Sequence, residues 1–288
     1  MLHQALAPAT QSNYARSLRK YNEFAVEIGI NSSFPISVKH ACLFLVFLFN
    51  NKFSPTSILT IMSGLTYCHK IRLLTDPFQF FPVRQLFQAI KKNSPSPGDS
   101  RLPISESILF DLLDNIHLLG LSKYESILLS TMFLFAFYFG LRIGEYTASP
   151  HNLQLTDVCV SHKEVVIIFQ SFKHSKQRSL PHSIKPSSLR HCLVKSAMSY
   201  ASLRPPIEGA FFVYAGKPVS PKSFTTKLKQ IISLIGKSPE KFSPHSFRIG
   251  AATHWFNKQF SEYQIRQLGR WSSNAFTSYI RNFIDHSA

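Results

Sequence analysis

Negative charge is scarce in this chain. It has 15 Asp and Glu against 32 Lys and Arg, a formal net charge of +17 with a pI near 9.9. A surface so poor in carboxylates favours a polyanionic partner, nucleic acid first and an acidic membrane surface second. The basic residues are spread through helical and loop segments instead of forming one Lys/Arg tail, which points to a folded binding surface. Cysteine is sparse too. Cys42, Cys68, Cys159 and Cys192 lie far apart, with no C-x-x-C pair and no His at zinc-ligand spacing. A zinc module is therefore not expected, and reduced thiols in a cytosolic or nuclear protein are. Long apolar runs are also missing. The most apolar stretch, 127–141, falls short of the ~20 residues a spanning helix needs and ends at Arg142, so it predicts a buried helix and no membrane partner. Met1-Leu2-His3-Gln4 does not begin a charged segment followed by an apolar core, and no secretory signal is expected. There is no internal repeat.

With 288 residues, 44% of them hydrophobic, the chain has room for two domains of ordinary size. Apolar residues at three- and four-residue steps predict helices over 10–29, 37–50, 54–72 and 82–92, with Thr10, Ser37 and Ser54 as caps. Four such helices with short connections predict a compact bundle. Asn93-Ser94-Pro95-Ser96-Pro97-Gly98-Asp99-Ser100 cannot continue a helix and suits an exposed tether. The expected division is a helical domain at 1–92, a linker at 93–104 and a second domain at 105–288. In the latter, helices are predicted over 105–119 and 123–139. The period then changes: 158–160, 164–171 and 178–184 alternate or run β-branched, predicting a small antiparallel sheet. Helices return over 186–203, 220–235, 244–259, 261–268 and 273–284. The fold class is mainly α, a four-helix unit followed by an α-rich domain with a small antiparallel β-sheet.

Ser243 before Pro244 is a helix start, with Ser as cap and Pro at the first position. His245 and Arg248 then share one helix face at an N-terminus that already attracts phosphate, which makes an oxyanion clamp. The bland alternative is a capping His and a surface Arg. Gly140-Leu141-Arg142-Ile143-Gly144-Glu145 follows the apolar helix, where Arg142 is either a dipole partner or a site residue, and Glu145 either orients it or meets solvent. Lys173 and Lys176 occupy the turn between two predicted strands. Trp271, in Leu268-Gly269-Arg270-Trp271-Ser272-Ser273, can donate from its indole to phosphate or pack in the core. Tyr279, in Tyr279-Ile280-Arg281, has helical spacing to Phe276 and Phe283 and would otherwise be a packed aromatic.

In that order, Arg142, Lys173, His245 with Arg248, Trp271 and Tyr279, the chain resembles the tyrosine recombinase or phage integrase family, whose catalytic set runs Arg, Lys, His-x-x-Arg, His or Trp, and Tyr. The motif matches lie within residues 140–281. His245-Ser246-Phe247-Arg248 followed by Leu268-Gly269-Arg270-Trp271-Ser272-Ser273 and Tyr279-Ile280-Arg281 is most similar to recombinases of eukaryotic mobile elements, the DIRS/Ngaro and Crypton kinds. Two positions depart from the pattern. Members with Leu-Gly-His-Ser-Ser place that His nine residues before the Tyr, whereas Trp271 is eight before Tyr279 and Arg270 nine. Aligning Arg178 with the arginine that follows the family lysine favours Lys173, and Lys176 is the alternative.

The resemblance implies double-stranded DNA as partner and a tyrosine that attacks the scissile phosphate, leaving a 3′-phosphotyrosyl bond. Four protomers would assemble on two duplexes, with no metal, ATP or other cofactor. It implies nuclear localisation if the source is eukaryotic and cytoplasmic otherwise. The rival enzymatic expectation is a type IB topoisomerase-like activity, and the non-enzymatic rival is an inactive, domesticated DNA-binding protein.

Overall fold

The computed structural model describes residues 6–94, 100–170 and 180–281, in two compact units that divide between Gly98 and Asp99. Among the described residues, no helix is long and apolar enough to cross a membrane. The first unit is built from four amphipathic helices: α1 (Pro8–Glu27), α2 (Val38–Asn50), α3 (Pro55–Lys70) and α4 (Phe81–Asn93). Ser37 and Ser54 accept the N–H of His40 at 3.1 Å and of Ser57 at 3.2 Å, and so cap α2 and α3. Thr10 does not cap α1. That helix begins two residues earlier, because Pro8 supplies the fixed φ of a first helical turn behind Ala7. Tyr21, Phe24, Phe44, Leu45, Leu48 and Leu65 make the core. His69 is fully buried there and satisfied, its Nε2 accepting the Ile36 N–H at 3.0 Å while Nδ1 faces the Leu65 carbonyl at 2.8 Å.

The second unit is organised around α6 (Lys123–Tyr138), which follows α5 (Glu106–Asp114). Ser122 and Glu125 cap α6 reciprocally, each accepting the other's backbone N–H at 3.3 Å. Phe133, Phe135 and Phe137 are all buried, so this helix is apolar on every side, as a central helix must be. The chain continues through the single turn α7 (Ile143–Tyr146) into β1 (Val158–Val160), β2 (Val165–Ile167) and β3 (His182–Ile184). These pair antiparallel in the order β1-β2-β3, with Val158 opposite Ile167 and Ile167 opposite His182. Val165 and Ile167 turn inward and fix that register.

Then come α8 (Leu193–Leu203), a two-stranded pair β4 (Val213–Tyr214) and β5 (Lys217–Pro218), α9 (Pro221–Leu234), α10 (Pro244–Asn257), α11 (Glu262–Gly269) and a 3-10 helix at Asn274–Tyr279.

Several elements differ from the sequence expectation. The helix expected over 105–119 stops at Asp114 and resumes as a 3-10 turn at Ile116–Leu119. The helix expected from 186 starts only at Leu193. Before it, Arg190 and His191 are drawn to Asp114, the latter at 2.8 Å. The β4–β5 pair has strands too short for periodicity, joined through Ala215 and Gly216 at φ 48° and 75°. Residues 171–179, which include Lys173 and Lys176, lie outside the described residues.

One close approach ties the start of this unit to α10. The segment before α5 is hydrogen-bonded to the α10 region, Leu102 N–H to Lys241 at 2.8 Å and Ile104 N–H to Ser246 at 3.0 Å. Gly250 passes directly beneath the Ile104 carbonyl, and a Cβ there would fall on that oxygen. Gly250→Ala should therefore cost about 3 kcal/mol through forced overpacking. A chemical denaturation midpoint equal to that of the parent would contradict the close approach.

Candidate active site

α6 ends in a turn at Gly140, whose left-handed φ of 54° and contact with the Trp255 ring leave no room for a side chain. That turn delivers Arg142 to the N-terminal edge of α7. One turn on, Glu145 is 3% exposed, and its carboxylate accepts the Arg142 backbone N–H at 2.8 Å and the Arg142 guanidinium at 3.1 Å. It also accepts Arg270 Nη2 at 2.7 Å, from a residue 125 positions along the chain. Burial alone would raise the Glu145 pKa, but Arg270, Arg142 and Arg248 reverse this and hold the carboxyl below its ordinary value. Arg270 stands in the left-handed region at φ 55° and ψ 47°, which ends α11 and turns its side chain inward over the Phe169 ring, 4.5 Å from the centroid.

α10 carries the other charged groups. Pro244 opens it, but the Ser243 hydroxyl does not cap it; instead Ser246 Oγ accepts the Ser243 N–H at 3.0 Å, and Ser243 Oγ is buried without a partner. His245 is half-buried, and Arg248, one turn on, is only 1% exposed. The Arg248 guanidinium donates from Nη1 to the Gly140 carbonyl and from Nη2 to the Gly269 carbonyl, joining the α6–α7 turn to the end of α11. Burial together with the charges of Arg142 and Arg270 weakens its hold on its proton, while Glu145 and Tyr279 act the other way. The Trp271 indole covers it, with the guanidinium carbon 4.1 Å from the ring centroid.

Tyr279 is presented by the 3-10 helix, not by the α-helix expected over 273–284. Phe276 and Tyr279 are three residues apart, and three residues per turn puts both on one side. Phe276 is buried and Tyr279 half-buried, its ring 5.6 Å from Trp271 and 5.0 Å from His245 between centroids.

Arg142, His245, Arg248, Trp271 and Tyr279 are thus brought together from four separate elements. Trp271 shares the ring cluster with Tyr279 and Arg248, while Arg270 faces Glu145. Three guanidinium groups surround one carboxylate in this buried cluster, which leaves an excess of positive charge where an anion could sit. Among the described residues, no three His, Cys, Asp or Glu side chains gather as a metal site.

Sequence reasoning raised Glu145 without fixing its partner. The Arg142/Glu145 spacing of three is a local cue, but nothing local announces Arg270. It passed over His182 entirely. This imidazole sits edge-on to Phe139 at 4.8 Å with Nδ1 buried and unpartnered, and burial with the nearby Arg270 charge pushes its pKa down to about 3.

No curated protein sequence matches the chain. Solved structures do match in fold. The Tn1549 transposon integrase in complex with transposon right end DNA is 13% identical, with a TM-score of 0.67 over 97% of this chain and 91% of that one. The XerH site-specific recombinase bound to difH substrate, in a pre-cleavage complex, is 15% identical, with a TM-score of 0.67 over 95% and 76%. A lambda integrase dimer bound to a COC′ core site is 13% identical, with a TM-score of 0.64 over 96% and 72%. Residues 110–283, more than half of the chain, match the model of the phage integrase family. The chain belongs to that family and is a tyrosine recombinase, an enzyme of site-specific DNA recombination.

Proposed function

We propose that Tyr279 is the nucleophile of this recombinase and that the arginine cluster beside it receives the scissile phosphate. The observation that carries this reading is the convergence of Tyr279, Trp271 and His245 on a buried site with three arginines against one carboxylate. The Tyr279 phenol oxygen attacks phosphorus, forms a 3′-phosphotyrosyl ester and displaces the 5′-oxygen. Lys173, or Lys176 in its stead, protonates that leaving oxygen to a free hydroxyl. Arg142 and His245 hold the non-bridging oxygens as charge builds. Arg248 contributes its charge from behind the Trp271 indole, across an apolar medium that screens it little. Attack by a second 5′-hydroxyl reverses the step, so the ester bond energy is kept without ATP.

The remaining assignments follow the same reading. The N-terminal helical unit binds DNA: residues 1–98 carry ten Lys and Arg against three Asp and Glu. Four protomers assemble on two duplexes. The His245-Ser246-Phe247-Arg248, Leu268-Gly269-Arg270-Trp271-Ser272-Ser273 and Tyr279-Ile280-Arg281 motifs favour a mobile element of eukaryotic type, working in the nucleus. Similarity to a transposon integrase fits a mobile-element role.

DNA affinity should fall steeply with salt, because a chain of +17 displaces condensed counterions; the expected slope is about −0.9 in log affinity per phosphate contact against log salt. A flat titration would sink the polyanion reading. The test of function is a pool of nicked duplexes randomised around the nick, from which a covalent protein–DNA adduct should form. Exchange of strands between two labelled duplexes then identifies recombination, whereas relaxation of a supercoil without exchange identifies a topoisomerase.

A further inference from the structure

We infer that the Thr253 hydroxyl is a latch that holds the Tyr279 turn against α10, making Thr253 a positioning residue for the reaction; this rests on Tyr279 being the nucleophile. Thr253 is 1% exposed on the α10 face that meets the 3-10 helix. Its Oγ1 accepts the Arg281 backbone N–H at 3.2 Å and lies 3.2 Å from the Tyr279 carbonyl, so its two contacts bracket Ile280. It also lies 2.9 Å from the Ile249 carbonyl of its own helix.

A hydroxyl has one hydrogen and two lone pairs. It can accept from Arg281 throughout, but it donates to Tyr279 or to Ile249 at any moment. The bond to the tyrosine's backbone therefore trades against a back-bond inside the helix, and neither engages the phenol. The same helix carries His245 and Arg248, so this one hydroxyl registers the nucleophile's backbone against the phosphate-holding groups.

Among the described residues, the turn is held mainly by packing of a few side chains. Asn274, Ala275, Thr277 and Ser278 are exposed, while Phe276, Tyr279 and Ile280 pack with Trp271 against Ala251, Trp255 and Ile265, and the Tyr279 ring also meets His245. Two polar contacts therefore weigh heavily on where the phenol points. A latch of this kind predicts an effect on the cleavage step itself and not on DNA capture, since Thr253 is only 1% exposed and contacts backbone atoms of the turn.

The test compares the full chain with Thr253→Val, which keeps the shape and removes the hydroxyl, and Thr253→Ser, which keeps the hydroxyl. Two readouts are taken: hydrogen exchange of the backbone amides at 276–281 without DNA, and the rate of covalent adduct formation at saturating nicked duplex, beside a gel shift. In Thr253→Val, exchange should rise and the adduct rate should fall, each about tenfold, with DNA affinity unchanged. Thr253→Ser should restore both to near the parent values.

Unchanged exchange in Thr253→Val, or an unchanged cleavage rate, overturns the latch. So does a Thr253→Ser variant as impaired as Thr253→Val, which also serves if the valine variant folds poorly. A Tyr279→Phe arm separates the two claims: adduct formation by that variant refutes the nucleophile, and the amide exchange still decides whether Thr253 holds the turn.

Discussion

Glu145→Gln should lower the stability of the catalytic unit by about 3–5 kcal/mol and bring its melting temperature down by roughly 10 °C. The substitution keeps the side-chain volume and an acceptor for the Arg142 N–H, so packing is not the reason. What disappears is the one carboxylate that, among the described residues, faces Arg142, Arg248 and Arg270, in a site where Glu145 is 3% exposed and its bond to Arg270 is 2.7 Å. Buried Arg248 and Arg270 and partly exposed Arg142 would then repel one another without that counter-charge. Cleavage should fall as well, because the Arg142 guanidinium takes its position from that carboxylate's charge. An anion seated in the cluster would replace part of the missing charge, so DNA or inorganic phosphate should raise the melting temperature of the variant more than that of the parent.

The pH dependence has a definite sign. The folded-state pKa of Glu145 is lowered from 4.5, so its stabilisation is complete above that value and is lost as pH falls through the lowered one. The variant should lack this acid-side loss. Parent and variant melting at the same temperature, at neutral pH and without anion, would contradict the buried cluster.

Much of the architecture was legible because its causes are local. The four helices of the first unit declare themselves through period and through Ser37 and Ser54, whose hydroxyls do cap their helices. α6 is legible as a buried helix because fifteen residues of nearly unbroken apolar character, 127–141, admit little else. The errors have one local and one distant cause. The spacing of Phe276, Tyr279, Ile280 and Phe283 predicts an α-helix over 273–284, of which 282–284 lie outside the described residues; over Asn274–Tyr279 the separation of three also fits a 3-10 helix, and the exposed residues between Phe276 and Tyr279 give no second apolar row. The start of α8 is delayed by an ion cluster on Asp114, more than seventy residues earlier in the chain, which no window on the sequence contains.

The candidate site divides along the same line. Residue types and their order pointed to Arg142, Lys173, His245, Arg248, Trp271 and Tyr279, of which Lys173 lies outside the described residues, while residue type favoured Trp271 and the count to Tyr279 favoured Arg270. Their difference is conformational: the left-handed backbone at Arg270 sends its side chain to Glu145, while the next residue packs over Arg248 and beside Tyr279. Thr253 was invisible for a related reason. Its importance lies in contacts to backbone atoms of Tyr279 and Arg281, which no residue identity advertises.

The central claim is that Tyr279 carries the DNA, and the most direct measurement is to find the residue that does. The adduct formed with the nicked duplex pool is digested, and the DNA-linked peptide is identified by mass spectrometry, for the parent chain and for Tyr279→Phe. The variant loses one hydroxyl and keeps the ring that packs near Trp271 and His245; at most about 1 kcal/mol of folding stability is at stake. The account predicts a parent adduct on Tyr279, and a folded Tyr279→Phe protein that shifts the same DNA in a gel yet forms no adduct, because phenylalanine cannot make the ester. Parent-like adduct from Tyr279→Phe, or linkage mapped to another residue such as the 68% exposed Tyr263 on α11, would contradict it.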